Sequence, residues 1–539
     1  MDLQLDNWTL GRALGVRAES DPDKTFIDFT NGPGLTYAAA LDLAQRVAGG
    51  LDALGVAHGD QVITMLPNGR DAISAWLGLG HLGAVEVCLN TGYRGQPLAH
   101  ALTICKARVM ILAADYLPAV LAVDPDAAGI DRLIVVGDPD HATGTATVSW
   151  QSLVASPPLA TPRHPVRGRD AASILFTSGT TGPAKPVILT HAQNHLTAAE
   201  TARRFGMGVS DISYCFHPLF HMAGKFMAVY GTLIAGASIV LDHQFVPDQW
   251  SERLCEYKAT LAYGHGPMIE MIHASPPVPK DKQNTVRRVL GAPFPVRIAE
   301  DFETRFGLEG MECWGMTEIG IVTWAEAGTP RGSCGKVSEF YDLCIVDPDT
   351  DEELPAGRTG EILVRPRLPW ITFQGYYGMA EATVSAWRNL WFHTGDMGRL
   401  EPDGHLYFSD RVKDRIRRRS ENISSFEIEA AALSHAAVAE AAAVGVASRF
   451  EGDDDVKLCL VVNPDTIIDP ADLLRHLAGQ LPHYMIPRYV DIRDSLPRSN
   501  TNKVRKAVLR AAGTTSPIWD REAAGLSVRA LYEKDSPSC

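Results

Sequence analysis

The chain of 539 residues carries 50 Lys+Arg against 64 Asp+Glu, a formal net charge of −14, with 45% hydrophobic and 21% charged residues. That is the balance of a globular protein with sizeable cores, and it excludes a disordered chain. An acidic chain lacks the basic footprint a general nucleic-acid binder needs, and nine scattered cysteines without a CxxC pair suit neither a disulfide framework nor a zinc ribbon.

At about 150 residues per domain, the length allows three or four units, or fewer and larger ones. The first twenty residues carry acids and no apolar h-region, so the expectation is no secretory signal and a cytoplasmic protein with reduced cysteines. Apolar residues at helical spacing run over 38–54, then a short strand over 60–66, a helix over 72–82 and a strand over 83–89. Segments 108–112 and 133–136 repeat the strand pattern. Short apolar strands separated by amphipathic helices imply a parallel sheet built from crossover units. The Pro- and Arg-rich stretch 157–168 reads as a linker before a strand at 172–176. The longest apolar stretch, 226–241, is interrupted by Tyr230, Gly231, Thr232 and Gly236, short of the roughly 18 uninterrupted residues of a membrane span. From 335 to about 407, shorter strands with Gly turns suggest an antiparallel or barrel-like module. After 410 a further set of helices and strands begins, over 425–433, 437–446, 456–462 and 471–481. Its alanine-rich part, 436–443, fits a helix or tight packing. The expected fold is α/β: a large N-terminal domain (1–410) of α/β subdomains with a barrel-like β module, and a small α+β C-terminal domain (411–539).

The strand at 172–176 leads into Thr177, Ser178, Gly179, Thr180, Thr181, Gly182, Pro183, Ala184 and Lys185. Two glycines let backbone approach a ligand, four hydroxyls and free N–H groups face acceptors, and one lysine supplies charge. The chemistry is that of a phosphate cradle, although the composition alone also fits a flexible loop. It is not a Walker A loop, since the lysine stands third after Gly182.

Seven further segments follow in order: HPLFH (217–221), GAPFP (291–295), CWGMTE (313–318), WFHTGD (391–396), DRVKDRI (410–416), SENISSFEIE (420–429) and LPRSNTNKVRK (496–506). With TSGTTGPAK they resemble the adenylate-forming superfamily of acyl-CoA synthetases, adenylation domains and firefly luciferases, over about residues 10–512. Within it the layout looks closest to carnitine/crotonobetaine-CoA ligase-like and medium- to long-chain acyl-CoA ligases.

The resemblance implies roles for particular residues. Thr177, Ser178, Gly179, Thr180, Thr181, Gly182 and Lys185 would bind the ATP phosphates. Gly291, Ala292 and Pro293 would edge the adenine, which Trp314, Gly315 and Met316 would line. Thr317 would touch the α-phosphate and Glu318 would hold Mg²⁺, a hard cation that favours carboxylate oxygens. Asp396, joined by Arg411, would hold the ribose, and an ionised carboxylate can accept from both hydroxyls. Lys413 matches the hinge about which the C-terminal domain swings. Lys503 matches the lysine that neutralises charge while a carboxylate attacks the α-phosphorus. His221 matches the gate between adenylate site and acyl pocket, with Lys225, His265 and Gly266 also at that pocket. An inward Lys225 or His265 would point to a polar or anionic acyl substituent. Arg419, Ser420 and Glu421 would face CoA; Arg419 ends a basic run at 411–419 that also reads as a solvated charged face.

Three positions depart from the family pattern: Pro186 after the loop lysine, Ser420 in place of a glycine before Glu421, and Asn502 in place of the glycine before Lys503. The implied function is an ATP-, Mg²⁺- and CoA-dependent ligase that activates a carboxylic acid through acyl-AMP. The alternatives are an acyl-adenylating enzyme with an amine or carrier-protein acceptor, and an adenylate-binding protein with weak or no chemistry. No nucleic-acid partner or membrane span is expected, and a homodimer is compatible with the layout.

Overall fold

The computed structural model describes residues 4–126, 128–138, 145–177, 184–411, 416–418, 421–423, 425–448, 454–464, 466–481, 483–498, 504–514 and 517–532. Contacts divide the chain into two units, Met1–Asp342 with Arg365–Asn389, and Leu343–Val364 with Leu390–Cys539. The fold is the α/β one that the alternating pattern implies.

The larger unit holds two mixed sheets. The eight-stranded one runs in the order Gly375–Tyr376, Lys185–Thr190, Ala171–Thr177, Val85–Cys88, Gln61–Met65, Val109–Ala113, Arg132–Val136 and Ala146–Ser149. Neighbours from Ala171–Thr177 onward are parallel, and the two pairings before it are antiparallel. The crossover helix Arg70–Leu82 is buried from Ala72 to Leu82 and ends at Gly83, whose φ of 83° supplies the left-handed cap. The segment 157–168 contains no helix or strand and is mostly exposed, as a linker would be, but it is tied down at particular points. Leu159 N donates to Gln45 O (2.8 Å), and a Cβ on Gly49 would stand 2.1 Å from Pro157 O.

In the nine-stranded sheet, Glu309–Met316, Arg288–Gly291, Leu261–Gly264, Ile212–Cys215, Ser238–Leu241 and Thr25–Phe29 form a parallel centre. Gly264 pairs with Gly291, which pairs with Glu312, so the segments that follow these strands emerge from one edge. Open parallel sheets place ligands at such carboxyl ends. The apolar stretch noted above becomes the π-helix Ala223–Tyr230, the helix Gly231–Ala235 and the strand Ser238–Leu241. Among the described residues, no helix is long and apolar enough to cross a membrane.

In the smaller unit Gly360–Pro366 pairs antiparallel with Trp391–Leu400, which pairs antiparallel with Leu406–Arg411. A second sheet orders Val438–Ala447, Asp454–Val462, Tyr489–Ile492 and Trp519–Asp520. The alanine-rich segment is therefore a strand. Ala442 and Ala443 are buried on its two faces, in different apolar clusters, where small side chains allow close packing. The tail beyond 512, silent in sequence, supplies the edge strand Trp519–Asp520 and packs Leu531 into the core. Arg488 fastens it through Asp455 (3.0 Å) and Asp520 (3.2 Å).

Candidate active site

Glu318 follows the strand Glu309–Met316 and is buried. Its backbone is held from two directions. Gln193 Nε2 donates to Thr317 O (2.9 Å) and Glu318 O (3.2 Å), and Phe373 N donates to Glu318 O (2.7 Å). Gln193 lies in the first turn of the helix His191–Phe205, where Thr190 Oγ1 caps its N–H (3.0 Å). The carboxylate is fixed too: the Tyr376 hydroxyl donates to Glu318 Oε1 (3.0 Å). Burial, then the adjacent Glu318 charge, raises the Tyr376 hydroxyl far above its ordinary range, so it stays a donor. Lys185 Nζ sits 4.6 Å from the centroid of the same ring, and Thr177 Oγ1 donates to Lys185 O at 3.4 Å. One cation, one phenol and one carboxylate thus meet beside the paired strands Ala171–Thr177 and Lys185–Thr190.

Trp314 and Gly315 stand at a bulge in the pairing with Gly320–Trp324. A Cβ on Gly315 would lie 2.1 Å from Gly320 O and 2.7 Å from Ile321 Cα, so only glycine fits. Met316 closes this strand and Thr317 is half-buried. Gly291 ends its strand under a milder constraint, since a Cβ there would meet side-chain atoms, Phe294 Cδ2 at 3.0 Å and Ile269 Cδ1 at 3.1 Å. Ala292 is joined to Pro293 by a cis peptide. Gly266 opens the helix Gly266–Ala274 against Pro293, whose Cγ lies 3.4 Å from a Cβ built on it.

His265 precedes that helix, and its ring lies 4.3 Å from the buried ring of His217. Burial first, then His265 and His221, keep His217 well below its ordinary pKa and hence neutral. His221 accepts the Lys225 N–H on its carbonyl (3.1 Å) at the start of the π-helix. Gly224 lets that helix lie on the HPLFH segment, since a Cβ would stand 2.6 Å from His217 O. Lys225 is 1% exposed and its ammonium is ion-paired with Glu86, itself 2% exposed. Thr64 Oγ1 donates to the other Glu86 oxygen (2.9 Å), and the Trp76 ring lies 5.7 Å from Lys225 Nζ. Burial opposes the ammonium, but the neighbouring Cys88 and Glu86 hold Lys225 above its ordinary pKa.

In the smaller unit, Asp396 is buried and pairs in register with Arg411, the two residues assigned to the ribose. The turn before Asp396 is clamped by Glu361. Its Oε1 accepts from Gly395 N (3.0 Å), where φ is 69°, and its Oε2 lies 3.0 Å from His393 Nδ1. Glu421 lies in the strand Glu421–Ile423, paired with Arg418. Ser178, Gly179, Thr180, Thr181, Gly182, Lys413, Arg419, Ser420 and Lys503 lie outside the described residues.

The AMP-binding enzyme family matches residues 14–377, and its C-terminal domain family matches residues 427–503. The chain belongs to the AMP-binding enzymes. Similar to it is the crotonobetaine/carnitine–CoA ligase of Salmonella agona (strain SL483), 28% identical over 508 residues, which are 90% of this chain and 96% of that one. Among solved structures, ATP-bound MatB from Rhodopseudomonas palustris superimposes with a TM-score of 0.84 at 27% identity, covering 94% of this chain and 98% of that one. A Mycobacterium tuberculosis fatty acyl CoA synthetase gives a TM-score of 0.71 at 25% identity, covering 94% and 99%. Within this AMP-binding framework, sequence reasoning missed Tyr376, Gln193, Glu86 and Glu361. Each meets its partner at least 32 residues away in the chain, a separation that local sequence pattern does not reveal.

Proposed function

We propose that this protein activates a carboxylic acid with ATP, forming acyl-AMP and pyrophosphate, and then transfers the acyl group to CoA with release of AMP. The observation that carries the reading is the convergence of Lys185, Tyr376 and the buried Glu318, which follows the strand that carries Trp314 and Gly315. Similarity to enzymes named as CoA ligases supports the acceptor.

Each group has a defined task. Gly291, Ala292 and Pro293 would edge the adenine, which Trp314, Gly315 and Met316 would line. Lys185 and Thr177 would hold phosphate oxygens. Glu318 fits a hard divalent cation, being a buried carboxylate whose orientation is already fixed. Glu318 would hold Mg²⁺ there, whose charge would offset that of the phosphates. Asp396, with Arg411, would take the ribose hydroxyls. Lys503 would bridge the attacking carboxylate and the α-phosphate, stabilising the charge that builds there. Rotation about Lys413 would then exchange Lys503 for the Arg419–Glu421 face, where the thiol attacks the acyl carbonyl and AMP leaves.

Ser420 and Asn502, side chains where the family pattern has glycine, favour a second reading in which an amine or carrier-protein thiol is the acceptor. A panel of carboxylic acids, followed by pyrophosphate release with and without CoA, separates the two. Thioester that accumulates only on CoA addition supports the ligase. Turnover indifferent to CoA and stimulated by amines would overturn it.

A further inference from the structure

We propose that Tyr376 is a positioning residue that couples the phosphate-loop cation Lys185 to the metal-holding carboxylate Glu318; the inference rests on the adenylating reading above. Its backbone is pinned on both flanks and its ring has a defined neighbour. Tyr376 is buried, and the two-residue strand Gly375–Tyr376 registers it opposite Val187. Gln374 N donates to Ile188 O (2.9 Å) and Tyr377 N to Pro186 O (2.8 Å), fixing the backbone on both flanks. Tyr376 N donates to Thr383 Oγ1 (2.9 Å), and the Phe373 ring meets Tyr376 edge-on at 5.0 Å. Gly375, with φ of 140°, leaves room for this contact, since a Cβ would stand 3.0 Å from Thr383 Cγ2.

Two opposite charges then use different parts of one rigid ring. The face carries Lys185 Nζ at 4.6 Å, and the hydroxyl serves Glu318 Oε1 at 3.0 Å. A ring face attracts a cation and a phenol donates to an anion, so neither interaction competes with the other. The arrangement gives Lys185 and Glu318 one shared, rigid partner. It also gives Pro186 a role: the residue that departs from the family pattern lacks an N–H, but its carbonyl accepts from Tyr377 and its ring stiffens the chain next to Lys185.

The test uses the full chain as wild type, Tyr376→Phe, Tyr376→Leu and Thr383→Val. Mn²⁺ binding with a non-hydrolysable ATP analogue is read by electron paramagnetic resonance, and AMP binding by calorimetry. Tyr376→Phe keeps the ring face and removes only the donor to a buried carboxylate. Mn²⁺–nucleotide binding is expected to weaken by about tenfold while AMP binding is retained. Tyr376→Leu, which also removes the seat of Lys185, is expected to weaken metal-free binding of the analogue as well. Thr383→Val loosens the backbone without touching either charge and is expected to show a smaller loss of the same kind, which covers the case of a misfolded ring variant. Wild-type Mn²⁺ affinity in Tyr376→Phe, with AMP still bound, would overturn the inference. A wild-type chain that binds neither AMP nor the Mn²⁺–nucleotide would instead overturn the adenylating reading beneath it.

Discussion

Replacing Lys225 by methionine separates a structural role from a substrate-binding one. The Lys225 ammonium and the Glu86 carboxylate are both almost fully buried, with Thr64 as the other partner of Glu86. Lys225→Met keeps the length of the side chain and leaves Glu86 as a buried charge without its counter-ion. Such a break costs about 3–5 kcal/mol. At about 2.1 cal/mol/K per residue over the larger unit, this corresponds to a fall of about 4–6 °C in Tm. The double variant Lys225→Met/Glu86→Gln removes both charges and is expected to recover most of that loss, giving a coupling of at least about 2 kcal/mol in the double-mutant cycle. Thermal unfolding followed by fluorescence reports the Tm values, and KM for the best acid substrate is measured on the same four proteins. A Tm unchanged in Lys225→Met, or a KM that rises without any change in Tm, would refute the internal ion pair and make Lys225 a substrate contact.

Gly315→Ala is expected to weaken AMP binding at least tenfold, because the new Cβ meets backbone at 2.1 Å and the Trp314–Glu318 segment must shift; calorimetry with AMP checks it. Glu361→Gln keeps one acceptor but alters the clamp on the turn before Asp396. Its expected signature is a severalfold higher KM for ATP with the acid KM unchanged, read by initial rates. Burial pushes His191 and His195 down to about 4, so between about 4 and the ordinary 6.5 the unfolded chain binds more protons than the folded one. Stability therefore falls as pH drops from 6.5 toward 4, and His195→Phe should remove about one proton from the slope of unfolding free energy against pH, measured by urea titration.

Much of the framework is legible in the sequence because local pattern carries it. The strands around 61–65, 85–88 and 109–113 alternate with apolar-faced helices, and such periodicity survives into the fold. The glycines at 291 and 315 belong to short segments whose resemblance to the adenylate-forming superfamily implies a nucleotide site. Other features depend on tertiary partners. The alanines at 441–443 read equally as helix, and only pairing with Leu458–Leu460 makes them a strand. The stretch 157–168 has the composition of a linker, but the helix glycine Gly49 gives it a surface to pack on. Lys225 is polar at a position where an acyl pocket would be apolar, and nothing nearby in sequence reveals that Glu86, 139 residues away, neutralises it. Tyr376 likewise meets Glu318 across 58 residues, a distance over which no periodicity extends.

Carboxylate-dependent exchange of labelled pyrophosphate into ATP, run without CoA across an acid panel, tests adenylation most directly. The wild-type chain should catalyse exchange with at least one acid, and Lys503→Ala should lose it while still binding ATP. Exchange that persists undiminished in Lys503→Ala, or a wild-type chain that binds ATP but exchanges with no acid, would contradict the adenylating mechanism.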